Sequence, residues 1–130
     1  MIVLDTQVLL FDALDPKRLS RRARSALDEG MESGALACSD ISLWEIALLA
    51  ARRRIDPGPD IAAFIESALQ LRSVRVLPIT PAIATLAQSD AFSHGDPADR
   101  LIGATALQHR ASLVSADEGL RRVRELEVIW

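Results

Sequence analysis

Short apolar segments alternate with helical patterns along the whole of this 130-residue chain, and this alternation constrains the fold more than any other feature. Apolar runs predict the strands and helical periodicity predicts the helices. The predicted strands cover residues 2–4, 36–38, 75–78, 112–115 and 127–130. The predicted helices cover residues 7–14, 18–30, 42–53, 60–72, 81–88, 98–110 and 117–123. Such alternation builds βαβ units, so the sequence predicts an α/β fold with a central, mainly parallel sheet of about five strands.

The length of the chain suits one hydrophobic core, so we expect residues 1–130 to form a single domain. Hydrophobic residues make up 49% of the chain, yet no apolar run approaches the roughly 20 residues that a membrane span requires. The first residues also lack the basic segment of a signal peptide. We therefore expect a cytoplasmic protein that has no membrane partner.

Cysteine and histidine are too rare here to build a zinc cage. The chain has only Cys38, His94 and His109, which are widely spaced, and a lone cysteine cannot form an intramolecular disulfide. A bound metal ion would therefore have to be held by oxygen ligands.

The net charge of −3 argues weakly against a nucleic-acid partner, but the basic residues are clustered. All of them are arginine except Lys17, and arginine suits bidentate contacts with phosphate. Any single cluster is equally well explained as a solvated helix face. The candidate substrate-binding residues are Arg18, Arg21, Arg22, Arg52, Arg53 and Arg100.

Four acidic residues lie at positions that this fold would bring to a shared cleft, near the carboxyl ends of its strands. Asp5 and Asp117 each come just after a predicted strand, whereas Glu45 and Asp99 lie on predicted helices. Ligands of open α/β sheets bind beyond the carboxyl ends of the strands. We therefore select these four acids as the candidate catalytic residues.

Glu45 is the acid that is hardest to explain by structure alone. Its helix face is otherwise apolar, and an unpaired charge beside a buried stripe is costly. A structural explanation is a capping box, in which Ser42 is the N-cap and Glu45 is the third helical residue. That explanation fails if Ser39 or Asp40 caps the helix instead.

The aspartates also have structural explanations. Asp96 followed by Pro97 is typical of a helix N-cap, and Asp99 then lies in the first turn, where a negative charge favours the helix dipole. Asp5 and Asp117 could cap helices as well. Asp99 shares its helix face with small and apolar residues that would pack on the sheet. We therefore rank Asp99 as a ligand and Asp96 as a cap or supporting acid.

The four acids taken together favour a bound cation. Carboxylates that converge in one cleft raise each other's pKa unless a cation neutralises them. Oxygen ligands alone suit Mg²⁺ or Mn²⁺, with Asp5, Asp99 and Asp117 as the candidate metal ligands. Such an ion can activate water and stabilise a phosphate oxyanion, so the set predicts phosphodiester hydrolysis.

Four segments together resemble the PIN-domain family, in particular its VapC-type toxins. They are residues 2–27 (IVLDTQVLLFDALDPKRLSRRARSAL), 39–50 (SDISLWEIALLA), 94–109 (HGDPADRLIGATALQH) and 112–117 (SLVSAD). The resemblance covers nearly the whole chain. It implies a three-layer α/β/α fold and a Mg²⁺- or Mn²⁺-dependent endoribonuclease whose acidic residues are the four selected above.

The resemblance also implies supporting residues and partners. Thr6 and Ser115 match positions that help to order the site, whereas Gln7 and Ala98 depart from the usual pattern where substrate detail is decided. The implied partners are an RNA substrate, a second copy of the chain in a homodimer, and an inhibitory antitoxin whose carboxyl-terminal segment lies across the cleft. Promoter DNA would be bound through the antitoxin, so direct DNA binding is not predicted.

Two other enzyme classes fit the sequence poorly. A haloacid-dehalogenase-type phosphatase needs a second aspartate at the position of Gln7, and a phosphate-receiver domain needs a lysine late in the chain, where there is none. The remaining alternative is a catalytically silent PIN-like module that binds RNA or protein.

Overall fold

The computed structural model describes residues 1–93 and 95–130, so His94 lies outside the described residues. The strands are β1 (Ile2–Leu4), β2 (Leu36–Ser39), β3 (Arg75–Leu77), β4 (Ser112–Val114) and β5 (Val128–Ile129). The helices are α1 (Thr6–Leu14), α2 (Arg21–Ser33), α3 (Ile41–Ala51), α4 (Ile61–Gln70), α5 (Pro81–Ala87), α6 (Pro97–Gln108) and α7 (Glu118–Arg121). A 3₁₀ turn, Pro16–Arg18, connects α1 to α2. No helix in the described ranges is both long enough and apolar enough to cross a membrane.

The strands form one sheet in the order β3-β2-β1-β4-β5, and every neighbouring pair is parallel. The chain builds the sheet outward from β1 to β3 on one side and then continues with β4 on the other side of β1. The position between β1 and β4 is therefore the topological switch point, where α/β sheets bind ligands. The predicted parallel sheet of five strands is confirmed.

Alternate residues of the strands point to two separate layers of core. In β1, Val3 packs among apolar residues of α5 and α6, whereas Leu4 packs among apolar residues of α1 and α2. Leu113 and Val114 of β4 divide in the same way. A strand that is buried on both faces must be continuously apolar, which explains the runs in the sequence. The result is the three-layer α/β/α arrangement.

The largest differences from the predicted helix boundaries lie at the two ends of α2, and both have local reasons. The helix predicted over residues 18–30 begins later, because the Ser20 hydroxyl caps α2 by accepting a hydrogen bond from the Ala23 N–H at 3.0 Å. It also ends later, where Gly34 adopts a φ of 65° that suits a glycine. The capping box on α3 is wrong, because Asp40 occupies the N-cap position and the helix begins at Ile41.

Candidate active site

An acidic cleft of about 350 Å³ opens at the switch point, at the carboxyl ends of β1 and β4. Its lining residues are Asp5, Thr6, Gln7, Glu45, Asp96, Asp99, Ala116 and Asp117. The structure therefore brings together all four acids that the sequence selected, together with Asp96. They come from four separate parts of the chain.

Asp5 lies at the base of the cleft and is only 5% exposed. Its backbone N–H donates to the Val114 carbonyl at 3.1 Å, which anchors the residue to β4. Burial raises the pKa of the Asp5 carboxyl, the Ser115 hydroxyl bonded to it lowers the pKa, and the charges of Asp117 and Asp96 raise it further. The side chain makes no cap on α1, so the capping explanation does not hold for Asp5.

Ser115 connects two of the acids. Its hydroxyl donates to Asp5 Oδ2 at 2.6 Å, and its oxygen accepts a hydrogen bond from the Asp117 N–H at 3.0 Å. Asp117 Oδ1 in turn accepts from the Leu120 N–H at 2.9 Å, so Asp117 caps α7 as well as lining the cleft. The structural and functional explanations of Asp117 are therefore compatible.

Glu45 is half-buried on α3 and points toward the first residue of α1. Its Oε1 lies 2.5 Å from Thr6 Oγ1, which also lies 2.9 Å from Ser42 Oγ. Burial raises the pKa of the Glu45 carboxyl, the hydrogen bond from Thr6 lowers it, and the charges of Asp5 and Asp96 raise it. Thr6 thus orients an acid of the cleft, in the position where a supporting residue was expected.

Asp99 shows how strongly the carboxylates interact. It lies in the first turn of α6, where Asp96 caps the helix by accepting from the Ala98 N–H at 2.9 Å. Burial, followed by the charges of Asp5, Asp96, Asp117 and Glu45, raises the pKa of Asp99 to about 8. A divalent cation bound among these groups would relieve such mutual repulsion.

The acid set fits Mg²⁺ or Mn²⁺ in donor type and in charge. Every candidate ligand is a carboxylate, and hard divalent cations prefer oxygen. As the side chains stand, no three histidine, cysteine or acidic groups among residues 1–93 and 95–130 are arranged to hold a metal ion. The cleft therefore has the chemistry of a cation site without a preformed cage.

The arginines selected from the sequence do not line the acidic cleft. Arg18 lines a neighbouring groove of about 260 Å³ between α1 and α3, where its guanidinium lies 4.3 Å from the centre of the Phe11 ring. Arg54 lines the same groove and was not selected, although it directly follows Arg52 and Arg53 in the sequence. Gln7 lines both the groove and the cleft, so the two are adjacent.

Sequence reasoning missed one residue that supports the site from behind Thr6, namely Ser42. Its signal was present in the pairing with Glu45, but the spacing suggested a cap. In the structure Ser42 is the second residue of α3, fully buried, and in contact with Thr6. Gln7 was noticed only as a departure from the family pattern, and it lies at the entrance that joins cleft and groove.

Taken together, the sheet and the cleft define an α/β protein with an acidic ligand site at its switch point. The family model for the PIN domain matches residues 2–126. Ribonuclease VapC22 from Mycobacterium tuberculosis is 37% identical over 124 residues, which span 95% of this chain and 92% of that protein. The chain belongs to the PIN-domain family, and its recognition as a VapC-type member is confirmed.

Solved structures agree with this assignment. FitAcB from Neisseria gonorrhoeae has a TM-score of 0.68 at 26% identity, and the match covers 98% of this chain and 96% of that one. VapBC2 from Rickettsia felis, crystallised with a DNA fragment from its promoter, has a TM-score of 0.72 at 16% identity, with 98% and 97% covered. The second likeness shows the fold alone.

Proposed function

We propose that this protein is a cytoplasmic, metal-dependent endoribonuclease and the toxin of a toxin–antitoxin pair. One observation carries the proposal: five carboxylates from distant parts of the chain line one cleft at the switch point of the sheet. Relatedness to a ribonuclease of the same family supports RNA as the substrate. The reaction is hydrolysis of a phosphodiester bond by an activated water.

Asp5, Asp99 and Asp117 are the residues that would hold Mg²⁺ or Mn²⁺. When bound, the ion would supply Lewis acidity toward a phosphate oxygen and would lower the pKa of a water molecule. The Ser115 hydroxyl supports this set, since it fixes Asp5 Oδ2 and the backbone of Asp117 at once.

Glu45 is the residue that we assign to proton transfer. Its pKa is raised by burial, and a general base works best when its pKa lies near the working pH. The bond to Thr6 holds Oε1, which leaves Oε2 to accept the proton of the attacking water. Asp96 stays in a supporting role, as the cap that positions the first turn of α6.

Contacts with the RNA backbone outside the cleft are assigned to arginine side chains. Arg18 and Arg54 lie along the groove that adjoins the cleft, where a phosphate backbone leaving the acids would meet them. Arg21, Arg22, Arg52, Arg53 and Arg100 stay candidates for contacts further along the strand. Such contacts would weaken with salt, because phosphate binding releases counterions.

Cleavage of total RNA by the purified protein tests the proposal. We expect cleavage with Mg²⁺ or Mn²⁺ and none with EDTA. The competing function is a catalytically silent module that binds RNA or protein, and the helix caps that Asp96 and Asp117 make favour it. Binding of RNA without cleavage in either metal would support that alternative and contradict ours.

The antitoxin is proposed to occupy the groove beside the cleft. Leu10, Leu14, Leu49 and Ile55 line it, which suits the apolar side of a partner segment. A basic side chain reaching past Gln7 would then meet the acids and neutralise them. The solved complexes of related fold include a toxin–antitoxin complex from Klebsiella pneumoniae, which is consistent with such a partner.

We also propose a homodimer that buries α3. This helix is apolar on nearly every side (ISLWEIALLAA), yet it buries only Ser42 and Ile46 within the chain. A helix that is hydrophobic all round is normally covered on all sides. Trp44 on this helix is 58% exposed, and a second copy of the chain would cover it.

Trp44→Glu should convert the dimer to a monomer in analytical ultracentrifugation. A buried carboxylate without a partner costs several kcal/mol, which exceeds what a single aromatic contact contributes. Met31→Glu is the matched control, since Met31 is similarly exposed at 47% but lies on α2. Loss of the dimer in both variants, or in neither, would argue against α3 as the interface.

A further inference from the structure

Ser42 stands out among the buried polar residues because nothing in the fold of α3 requires its hydroxyl. The helix begins one residue earlier, and the first N–H groups do not use Ser42 as a cap. The side chain is fully buried, and its only hydrogen bond in the described ranges is to Thr6, which lies 36 residues earlier in the chain. Buried hydroxyl groups are normally hydrogen-bonded, and the partner of Ser42 is a residue that lines the cleft.

The side chains of Ser42, Thr6 and Glu45 form a chain of hydrogen bonds. This chain has one possible direction when Glu45 is ionised. A carboxylate accepts only, and a hydroxyl has a single proton to donate. Thr6 contacts two oxygens, those of Ser42 and Glu45, so it must donate to one and accept from the other. Thr6 therefore donates to Glu45 and accepts from Ser42.

We propose that Ser42 is a positioning residue, whose hydroxyl fixes the direction of the Thr6 hydroxyl and thereby holds the Glu45 carboxylate in the cleft. This inference rests on the proposed nuclease function and adds a residue to it. Ser42 touches neither the cleft nor the groove. Its influence passes through Thr6 alone, and hydrogen bonds in such a chain strengthen one another.

A double-mutant cycle on cleavage rates tests this relay, in which Ser42 acts on Glu45 through Thr6. The variants are Ser42→Ala, Thr6→Val and the double variant, each assayed with Mn²⁺ on a short RNA that the wild type cleaves. We expect kcat to fall roughly three- to tenfold for Ser42→Ala, as for one lost hydrogen bond, with KM unchanged. The double variant should be no slower than Thr6→Val, because Ser42 acts only through Thr6.

Ser39→Ala is the matched control for kcat. Ser39 is also fully buried and lies three residues from Ser42, but its hydroxyl oxygen accepts from the Ile41 N–H and has no hydrogen bond to Thr6 or Glu45. We expect wild-type kcat from this variant. If it loses as much as Ser42→Ala, the effect is a general consequence of disturbing the start of α3 and the relay is wrong.

A second double-mutant cycle measures the contact between Ser42 and Thr6 without an activity assay. Urea unfolding of the metal-free proteins should give non-additive changes for Ser42→Ala and Thr6→Val, corresponding to a roughly three- to tenfold coupling in the unfolding equilibrium constant. Additive changes in both cycles would overturn the relay while leaving the nuclease intact. A wild type that cleaves no RNA would instead contradict the proposed function, so the two failures are distinguishable.

Discussion

We expect Asp5→Asn to reduce RNA cleavage by at least roughly 100-fold, because in the proposed mechanism Asp5 would hold the cation, and a bound cation would supply several kcal/mol of charge stabilisation at the phosphate. Asparagine keeps the shape of aspartate, and its amide oxygen can occupy the position of Asp5 Oδ2 and accept the Ser115 hydroxyl there. It removes the negative charge at the most buried acid of the cleft. The loss therefore reports on the carboxylate and not on the packing.

The measurement is the cleavage rate of a total-RNA pool with Mn²⁺, compared with the same reaction in EDTA. Asp60→Asn serves as the control, since Asp60 is an exposed N-cap of α4 and asparagine caps a helix equally well. Urea unfolding of the metal-free variant checks the fold. Wild-type activity in Asp5→Asn would show that the site is assigned wrongly.

The metal-free protein should become less stable as the pH rises from about 4 to about 8. Folding raises the pKa of Asp99 from its ordinary 3.8 to about 8. In this window the folded chain keeps a proton that the unfolded chain releases, so a rise in pH favours unfolding. Because Asp99 is only half-buried, solvent screening reduces the effect, and we expect a loss of roughly 1–3 kcal/mol.

Asp99→Asn removes the group responsible and should flatten this pH dependence. At pH 8 the metal-free variant should be more stable than the wild type, because one charge has left a repelling cluster. Asp5 and Glu45 also have raised pKa values, so some pH dependence in the same direction should persist.

Urea unfolding at pH 5 and pH 8 in EDTA measures the pH dependence of the wild type and its reduction in Asp99→Asn. Asp60→Asn should follow the wild type at both values. Saturating Mg²⁺ at pH 8 should then stabilise the wild type, by about 2.7 kcal/mol at a concentration 100 times the dissociation constant, and should stabilise Asp99→Asn much less. A wild type whose stability is constant or rises between pH 5 and pH 8 would contradict this account of the cleft.

Much of the fold could be predicted from the sequence, because its determinants are local. The five apolar runs predict strands, and each coincides with a strand of the sheet within one residue at either end. The errors were also local, such as the start of α2, where the cap at Ser20 was overlooked. Boundaries depend on single hydrogen bonds, which the periodicity of a helix does not reveal.

The four acids could be selected from the sequence because each follows from its neighbours: two come after a strand, and two are charges on otherwise apolar helix faces. The sequence could not supply how much the pKa of each acid is raised. The raised pKa of Asp99 depends on Asp5, Glu45 and Asp117, which lie far from it in the chain. Coulomb interaction and burial act across space, so they appear only once the fold is formed.

By itself, then, the amino-acid sequence determined the strands, the helices and the positions of the four acids along them, because hydrophobic periodicity depends on short stretches of chain. The tertiary structure decided the rest. It placed β4 beside β1, so that Asp5 and Asp117 share one hydroxyl of Ser115. It also placed Ser42, whose spacing to Glu45 suggested a helix cap, in contact with Thr6. Such contacts between distant residues exist only after the sheet has assembled.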